Sequence, residues 1–334
     1  MTKLTRRHVL TTAAAATAST AIAPALGIPP AGAAAPAAGK QAPGYYRYKV
    51  GSFEVTVVTD GSRSFPLPDN FVVNKSKAEV NAALTAAYME KDKMTIHFSP
   101  IVVNTGSKLV LIDTGYGAAA AAQPNSTAGL LQSNLTAAGI DAKAIDTVII
   151  SHFHQDHING LLAPDGNPAF PNAEVMVPEA EWRFWMDDGE MARAPKGRME
   201  ELFKNNRRVF DQGLNRKVTP YQWNKEVVPG ITALPTVGHT PGHTSYVVAS
   251  GSGKVYVQSD VTNHPALFVR NPGWHAAFDQ DPVKAEETRR KVYDMLVAEK
   301  MMVQGFHYPF PALGHVEKDG DGYRVIPVQW SPAL

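Results

Sequence analysis

The chain has 334 residues, 44% of them hydrophobic and 19% charged, with 32 basic side chains against 31 acidic ones and a formal net charge of +1. That near-neutrality gives no electrostatic reason to expect a nucleic-acid partner. The absence of cysteine excludes disulfides, a cysteine nucleophile and any thiolate metal site, so a metal here must be held by histidine and carboxylate alone.

The first residues, Met1-Thr2-Lys3-Leu4-Thr5-Arg6-Arg7, put a basic pair ahead of an Ala/Thr-rich, weakly apolar stretch that reaches Leu26, followed by a Pro/Ala/Gly tract from Pro29 to Gly39. Residues 1–38 read as a twin-arginine export signal and small-residue linker, cleaved near Ala33 or Ala35. A spanning helix would need a more apolar run, so no stable membrane span is expected. The expected location is therefore periplasmic or secreted, by way of the twin-arginine machinery. Loss of the segment removes Lys3, Arg6 and Arg7 and no acidic residue, which leaves a net charge of −2. Residues 39–334 show no compositional break and no repeat period, and are expected to form a single domain.

Alternation over Tyr48 to Thr59 predicts a strand closed by a turn at Asp60-Gly61, and Ile101 to Asn104 with Lys108 to Asp113 predicts a hairpin around Thr105-Gly106-Ser107. A helix fits Ser126 to Ala138, with Leu130, Leu131 and Leu135 on one face and Gly139 as a stop. The β-branched run Ala144 to Ile150 predicts a buried strand ending at about Ser151. Further strands fit Glu174 to Val177, Ile231 to Pro235, Thr244 to Ala249 and Lys254 to Gln258. Helices fit Pro178 to Asp187, Met199 to Gln212 and Pro282 to Lys300. Strands and helices alternating in two halves imply sheets covered by helices, with ligands gathered at strand ends.

The densest chemistry follows the strand that ends near Ser151. His152, His154, Asp156 and His157 place four metal-binding side chains within six positions. In an extended segment residues two apart project to one side, so His152 and His154 can converge on one ion. Asp156 and His157 are adjacent, and turn toward a second ion only if the backbone curls into a helix, as Ile158-Asn159-Gly160-Leu161-Leu162 permits. Two neighbouring metals are implied. Imidazole and carboxylate donors suit zinc, with manganese, cobalt or iron also accepted by such a set.

The cluster resembles the His-x-His-x-Asp-His signature of the metallo-β-lactamase superfamily. Segments expected downstream occur in order: Gly238-His239-Thr240-Pro241-Gly242-His243, then Gln258-Ser259-Asp260, then Phe306-His307-Tyr308-Pro309. The resemblance implies an α+β protein with an αββα sandwich and a dinuclear site at the sheet edge. His152, His154 and His239 would hold one ion, Asp156, His157 and His307 the other, and Asp260 would bridge them. It also implies that His243 orients a neighbour and that Asp113 accepts hydrogen bonds behind the metals. Ser259 departs from the pattern, standing where glycine usually precedes the bridging aspartate, and Val237 replaces a frequent proline.

From about Tyr46 to Trp330 the chain is similar to the branch of methyl parathion hydrolases and dihydrocoumarin-type lactonases or arylesterases. The segments that carry this are Thr59-Asp60-Gly61 with Phe65-Pro66-Leu67-Pro68, Asn104 to Val110, and His307 to His315. The expectation is an exported hydrolase that cleaves lactones and aryl esters by attack of a metal-bridging hydroxide, with organophosphate triesters as further substrates and Asp156 or Asp260 passing a proton. Similar enzymes are often homodimers. Candidate pocket aromatics are Phe65, Trp182, Trp185, Phe268, Trp274, Phe278 and Phe310; His264 and His275 stay outside the metal set. The alternatives are a β-lactamase-type cyclic amide hydrolase, against which a bridging Asp260 counts, and a redox or binding protein on the same fold.

Overall fold

The strand-like run from Tyr48 to Thr59 is broken at Gly51, which takes φ +58° in a turn that leaves no room for a side chain: a Cβ there would lie 2.0 Å from the carbonyl oxygen of Ser250. The result is a hairpin of β1 (Tyr45–Val50) and β2 (Phe53–Val58), closed over Gly51 and Ser52. In this computed structural model, which describes residues 37–334, the first half continues with β3 (Gly61–Pro66), β4 (Lys93–Phe98), β5 (Ile101–Asn104), β6 (Leu109–Ile112), β7 (Thr147–Ile149), β8 (Glu174–Pro178) and β9 (Thr219–Tyr221). The second half comprises β10 (Lys225–Val228), β11 (Ile231–Pro235), β12 (Thr244–Ser250), β13 (Gly253–Ser259), β14 (Met302–Gly305), β15 (Leu313–Asp319) and β16 (Gly322–Pro327). The export signal expected within residues 1–38 lies, up to residue 36, outside the described residues.

Each half builds one seven-stranded sheet, in the orders β1-β2-β5-β6-β7-β8-β9 and β10 to β16, with β3 and β4 as a separate hairpin. Period-two alternation decides which side chains meet. Ile101, Val103, Val110 and Ile112 point inward and pack with Ile231, Ala233, Val248 and Val255 of the other sheet. Their neighbours Val102, Leu111 and Val148 point outward, against Leu131, Leu135, Leu161, Trp185, Phe203 and Phe210 from the covering helices and loops. On the opposite outer face Tyr256, Val303 and Val316 pack on Val292, Tyr293 and Leu296 of the long helix Pro282–Glu299. The layers are thus helix, sheet, sheet, helix, the αββα sandwich.

Two helices start or stop away from the positions that periodicity suggests. The helix expected from Ser126 begins only at Leu131, because Gly129 takes φ +86° and the buried carboxylate of Asp60 captures the amides of Gly129 and Leu131, acting as a cap from a distant strand end. The helix expected over Met199 to Gln212 runs as Arg198–Arg207 and then widens into a π-turn over Arg208–Gly213. Among the described residues no helix is long and apolar enough to cross a membrane.

The connectivity places one set of loops at one end. β6, β7 and β8 are mutually parallel, and so are β13 and β14. The segments after β6, β7, β13 and β14 carry Asp113, the His152 to His157 cluster, Asp260 and His307 respectively, while the β11 to β12 connection supplies His239 and His243.

Candidate metal centre

Strand β7 stops at Ile149 because the chain must leave the sheet to present polar side chains. His152 and His154 follow in extended backbone, and the short helix Gln155–Ile158 then turns Asp156 and His157 toward the same space. Two-residue alternation thus brings the first pair together and helical curling the second.

The structure brings all seven sequence-derived candidates together. His154 Nδ1 lies 3.1 Å from His152 Nε2 and 2.8 Å from His239 Nε2, so three imidazoles face one point. His307 Nε2 lies 3.4 Å from an oxygen of Asp156 and 3.0 Å from Asp260 Oδ2, and His157 Nε2 lies 3.7 Å from Asp156. Asp260 stands between the groups, with Oδ1 3.1 Å from His157 Nε2 and Oδ2 3.4 Å from His239 Nε2. Donor atoms of His152, His154 and His239, of His152, His157 and Asp260, and of Asp156, His157 and His307 each fall within 4.8 Å of one another.

The donors are oriented from behind. Asp113, at the end of β6 with φ +60°, accepts from the amide and hydroxyl of Ser151 and sits 2.8 Å from His157 Nδ1. That contact directs the Nδ1 proton of His157 to Asp113 and turns Nε2 into the site. Phe306 stacks on the His157 ring at 3.9 Å between centroids and fixes its plane. His307 Nδ1 donates to the carbonyl of His97 at 2.7 Å, and His239 Nδ1 meets Asp279 Oδ1 at 2.8 Å. His243 faces away from the three-imidazole point. Its Nε2 accepts the Asp260 amide at 3.0 Å while Nδ1 donates to the carbonyl of Thr236, so it orients the backbone of Asp260.

Electrostatics agree with this arrangement. Burial, reinforced by neighbouring imidazoles, holds His152 and His154 well below the usual imidazole range, so both keep their lone pairs. Burial acts downward on His157 too, but the carboxylates of Asp260, Asp113 and Asp156 outweigh it and raise that group, so the pocket around Nε2 favours a positive charge, a place that a proton or a metal ion would fill. Asp260 stays ionised: burial is overcome by His307 and His157. His157 Nε2 and Asp260 Oδ1 are buried 3.1 Å apart, yet neither finds a hydrogen-bond partner. A buried carboxylate facing an imidazole nitrogen needs a positive charge between them, supplied by a proton on the ring or by a metal ion. Histidine nitrogens with carboxylate oxygens are the donor set of a divalent borderline metal, and the residues present fit two such ions.

Two devices outside the donors lock the loops to each other. Glu181, fully buried, accepts from the Phe153 amide, the Trp185 indole, the Thr240 hydroxyl and the Gly242 amide, so it joins the cluster loop to the loop of His239 and His243. Burial raises its carboxyl above the ordinary range while these four donors pull it back. Gly242 is required at that junction, since a Cβ would lie 2.2 Å from the Glu181 amide. Arg289, 2% exposed, donates to the carbonyls of Val261, Pro272 and Trp274 and meets Asp279 at 3.3 Å. Neither residue stood out in the sequence, because a buried glutamate and a buried arginine look like surface charges until the fold encloses them.

A cavity of about 330 Å³ opens over the donors and is lined by His154, Asp156, His239 and Asp260. Its apolar wall is Phe65, Phe71, Ile96 and Phe278, with Tyr116, Arg198 and Asn263 as polar members. Of the aromatics singled out from sequence, Phe65 and Phe278 reach it. Trp182, Trp185, Phe268 and Trp274 pack in hydrophobic clusters instead, and Phe310 is exposed. Phe71, Tyr116 and Arg198 were not legible, because each comes from a segment remote from the motifs. His264 is buried and His275 pairs with Glu286; neither belongs to the donor groups.

The sequence pattern of the metallo-beta-lactamase superfamily matches residues 99–298, which include every clustered donor except His307. An N-acyl homoserine lactonase of a Bacillus species is 29% identical over 190 residues, covering 57% of this chain; the match spans 63% of that relative's length, less than two thirds of it. Among solved structures, AidC, described as a dizinc quorum-quenching lactonase in complex with a product, N-hexanoyl-L-homoserine, superposes with a TM-score of 0.79 at 26% identity, over 86% of this chain and 98% of that one. AbOPH, described as a hydrolase in the beta lactamase superfamily, gives a TM-score of 0.79 at 28% identity, over 87% of this chain and all of that one.

Proposed function

Because the chain belongs to the metallo-beta-lactamase superfamily, we propose that it is a metal-dependent hydrolase that opens lactone rings, using two divalent ions, most simply zinc. The observation that carries this reading is the convergence of His152, His154, Asp156, His157, His239, Asp260 and His307, whose donor atoms form three groups each within 4.8 Å. His152, His154 and His239 would hold one ion, Asp156, His157 and His307 the other, and Asp260 reaches both groups. When bound, such ions supply Lewis acidity and a water of lowered pKa. The similar lactonases support the lactone as substrate class.

The chain's own residues do the rest. Phe65, Phe71, Ile96 and Phe278 offer an apolar wall for a substrate's hydrocarbon part and exclude water from that side. Asp156 is the more open of the two clustered carboxylates, its side chain 17% exposed against 3% for Asp260, so it is the group placed to pass a proton to the departing alkoxide. Aryl esters and organophosphate triesters are further substrates of the same centre in this reading. Residues 1–38 would serve export through the twin-arginine machinery, and a mature amino terminus that retains Arg6 and Arg7 would contradict that part.

Metal-loaded protein should be assayed side by side on dihydrocoumarin, a long-chain homoserine lactone, paraoxon and nitrocefin. Lactone turnover should dominate; dominant nitrocefin turnover would replace the proposal with a β-lactamase. His152→Ala and Asp260→Ala should each abolish turnover and lower bound metal in a protein that remains folded, and unchanged turnover in either would sink the mechanism.

A further inference from the structure

Most arginines of the described fold are spent. Arg183 pairs with Glu179, Arg207 with Asp188 and Asp211, Arg270 with Asp319 and Arg289 with Asp279, while Arg208 donates to the side chains of Asn159 and Asn205. Arg198 lines the cavity over the donors and has no carboxylate within 4.0 Å among the described residues. The carboxylates that share the cavity are engaged elsewhere: Asp156 and Asp260 face the converging imidazoles, and Glu201 meets Lys204 at 2.9 Å.

What faces Arg198 is a second donor. His154 points Nδ1 at His152 Nε2 and His239 Nε2, 3.1 Å and 2.8 Å away, and turns Nε2 to Arg198 Nη2 at 3.5 Å. A neutral imidazole has one lone pair and one proton, so an ion taken at Nδ1 leaves the proton on Nε2. With the centre loaded, the N–H groups of His154 and Arg198 therefore point at each other across that gap. The Phe278 carbonyl, 3.4 Å from Nη1, serves the other arm of the guanidinium. His154 is only 5% exposed, so bulk water gives its donor little relief. Two such donors are satisfied together by an oxygen that accepts from both, and an anionic oxygen also supplies the counter-charge that Arg198 lacks.

We propose that Arg198 Nη2 and the Nε2 proton of His154 form a binding point for a free inorganic oxyanion such as phosphate, beside the metal ions and separate from them, and that the filled point inhibits hydrolysis by occupying the cavity of about 330 Å³. The proposal rests on the two-ion reading above, because a metal-free ring is at liberty to keep its proton on Nδ1 and accept from Arg198 instead.

The test uses protein loaded with divalent metal, its content fixed by elemental analysis, as wild type, Arg198→Met and Arg198→Lys. Calorimetry compares inorganic phosphate with acetohydroxamate, a chelator that binds through the ions. Arg198→Met should weaken phosphate by about tenfold to a hundredfold and acetohydroxamate by less than about twofold, and Arg198→Lys should keep part of the phosphate affinity. Selenate soaked into crystals of the loaded wild type should give an anomalous peak between Arg198 and His154 that is absent from Arg198→Met. Selenate found on the metal ions alone would overturn the proposal, as would equal losses for both probes, which mark a structural role for Arg198. Phosphate should also inhibit turnover less in Arg198→Met than in wild type, and unchanged inhibition would refute the inhibitory role. A protein that takes up no metal fails the two-ion reading; one that holds its metal and binds phosphate equally with and without Arg198 fails this proposal alone.

Discussion

His239 Nδ1 and Asp279 Oδ1 lie 2.8 Å apart, with both side chains 3% exposed, and the other oxygen of Asp279 meets the guanidinium of Arg289 at 3.3 Å. The carboxylate fixes the tautomer of the imidazole, and the buried arginine fixes the carboxylate. Asp279→Asn keeps the shape but removes the charge. Zinc affinity, measured by competition with a chromogenic chelator, should fall about tenfold to a hundredfold. Asp279→Ala should in addition destabilise the fold by about 3–5 kcal/mol in urea titration, because Arg289 is left buried without its carboxylate.

Glu181 accepts four donors from three segments, and two of them, the amides of Phe153 and Gly242, cannot reverse. Glu181→Gln turns an NH₂ group toward one of these amides. A loss of about 2–3 kcal/mol in unfolding free energy is expected, together with reduced metal retention, since the two donor loops are joined there. Retention of wild-type stability would show that the loops dock without it.

Ser259 takes φ +50° where the family resemblance expects glycine, and its hydroxyl is buried without a partner. The left-handed backbone is what turns Asp260 out of β13 into the site. Ser259→Gly should relieve the strain and the unpaired hydroxyl, and raise stability by about 1 kcal/mol after the entropy of the added glycine is counted, with turnover preserved. Denaturant midpoints of the two proteins measure this.

Asp60 is enclosed, and burial pushes its carboxyl up to about 6 against the pull of the Leu131, Tyr116 and Gly129 amides. A raised carboxyl favours the protonated fold, so this contribution is fully present below about pH 4 and is lost as pH rises to about 6. Across that window the stability of wild type relative to Asp60→Asn should drop by about 3 kcal/mol, the size of a shift of roughly two pH units. Parallel stability curves for the two proteins would show that Asp60 ionises normally.

What the sequence made legible follows from which interactions are local. The donors His152, His154, Asp156 and His157 form a short motif whose spacing implies its geometry, and the strands that carry Asp260 and His307 announce themselves by apolar runs. The helix after Ser126 was misplaced because its cap is Asp60, a residue 71 positions from Leu131. Trp182 and Trp185 fall three residues apart on one helical face, a spacing that favours core over pocket, and Phe153, Phe203 and Phe210 pack on them. Arg198 and Arg289 carry the same letter, and only enclosure separates a guanidinium spent on carbonyls from one left free.

The donor set is divided between the two sheets' loops: His152, His154, Asp156 and His157 come before the β9 to β10 connection, and His239, Asp260 and His307 after it. Neither half alone carries a complete donor group for either ion, so occupancy works as a clasp across the sandwich. Cutting the chain between Tyr221 and Lys225 would yield two fragments that must find each other before they can keep divalent metal, and the metal would in turn strengthen their association by the free energy of its binding.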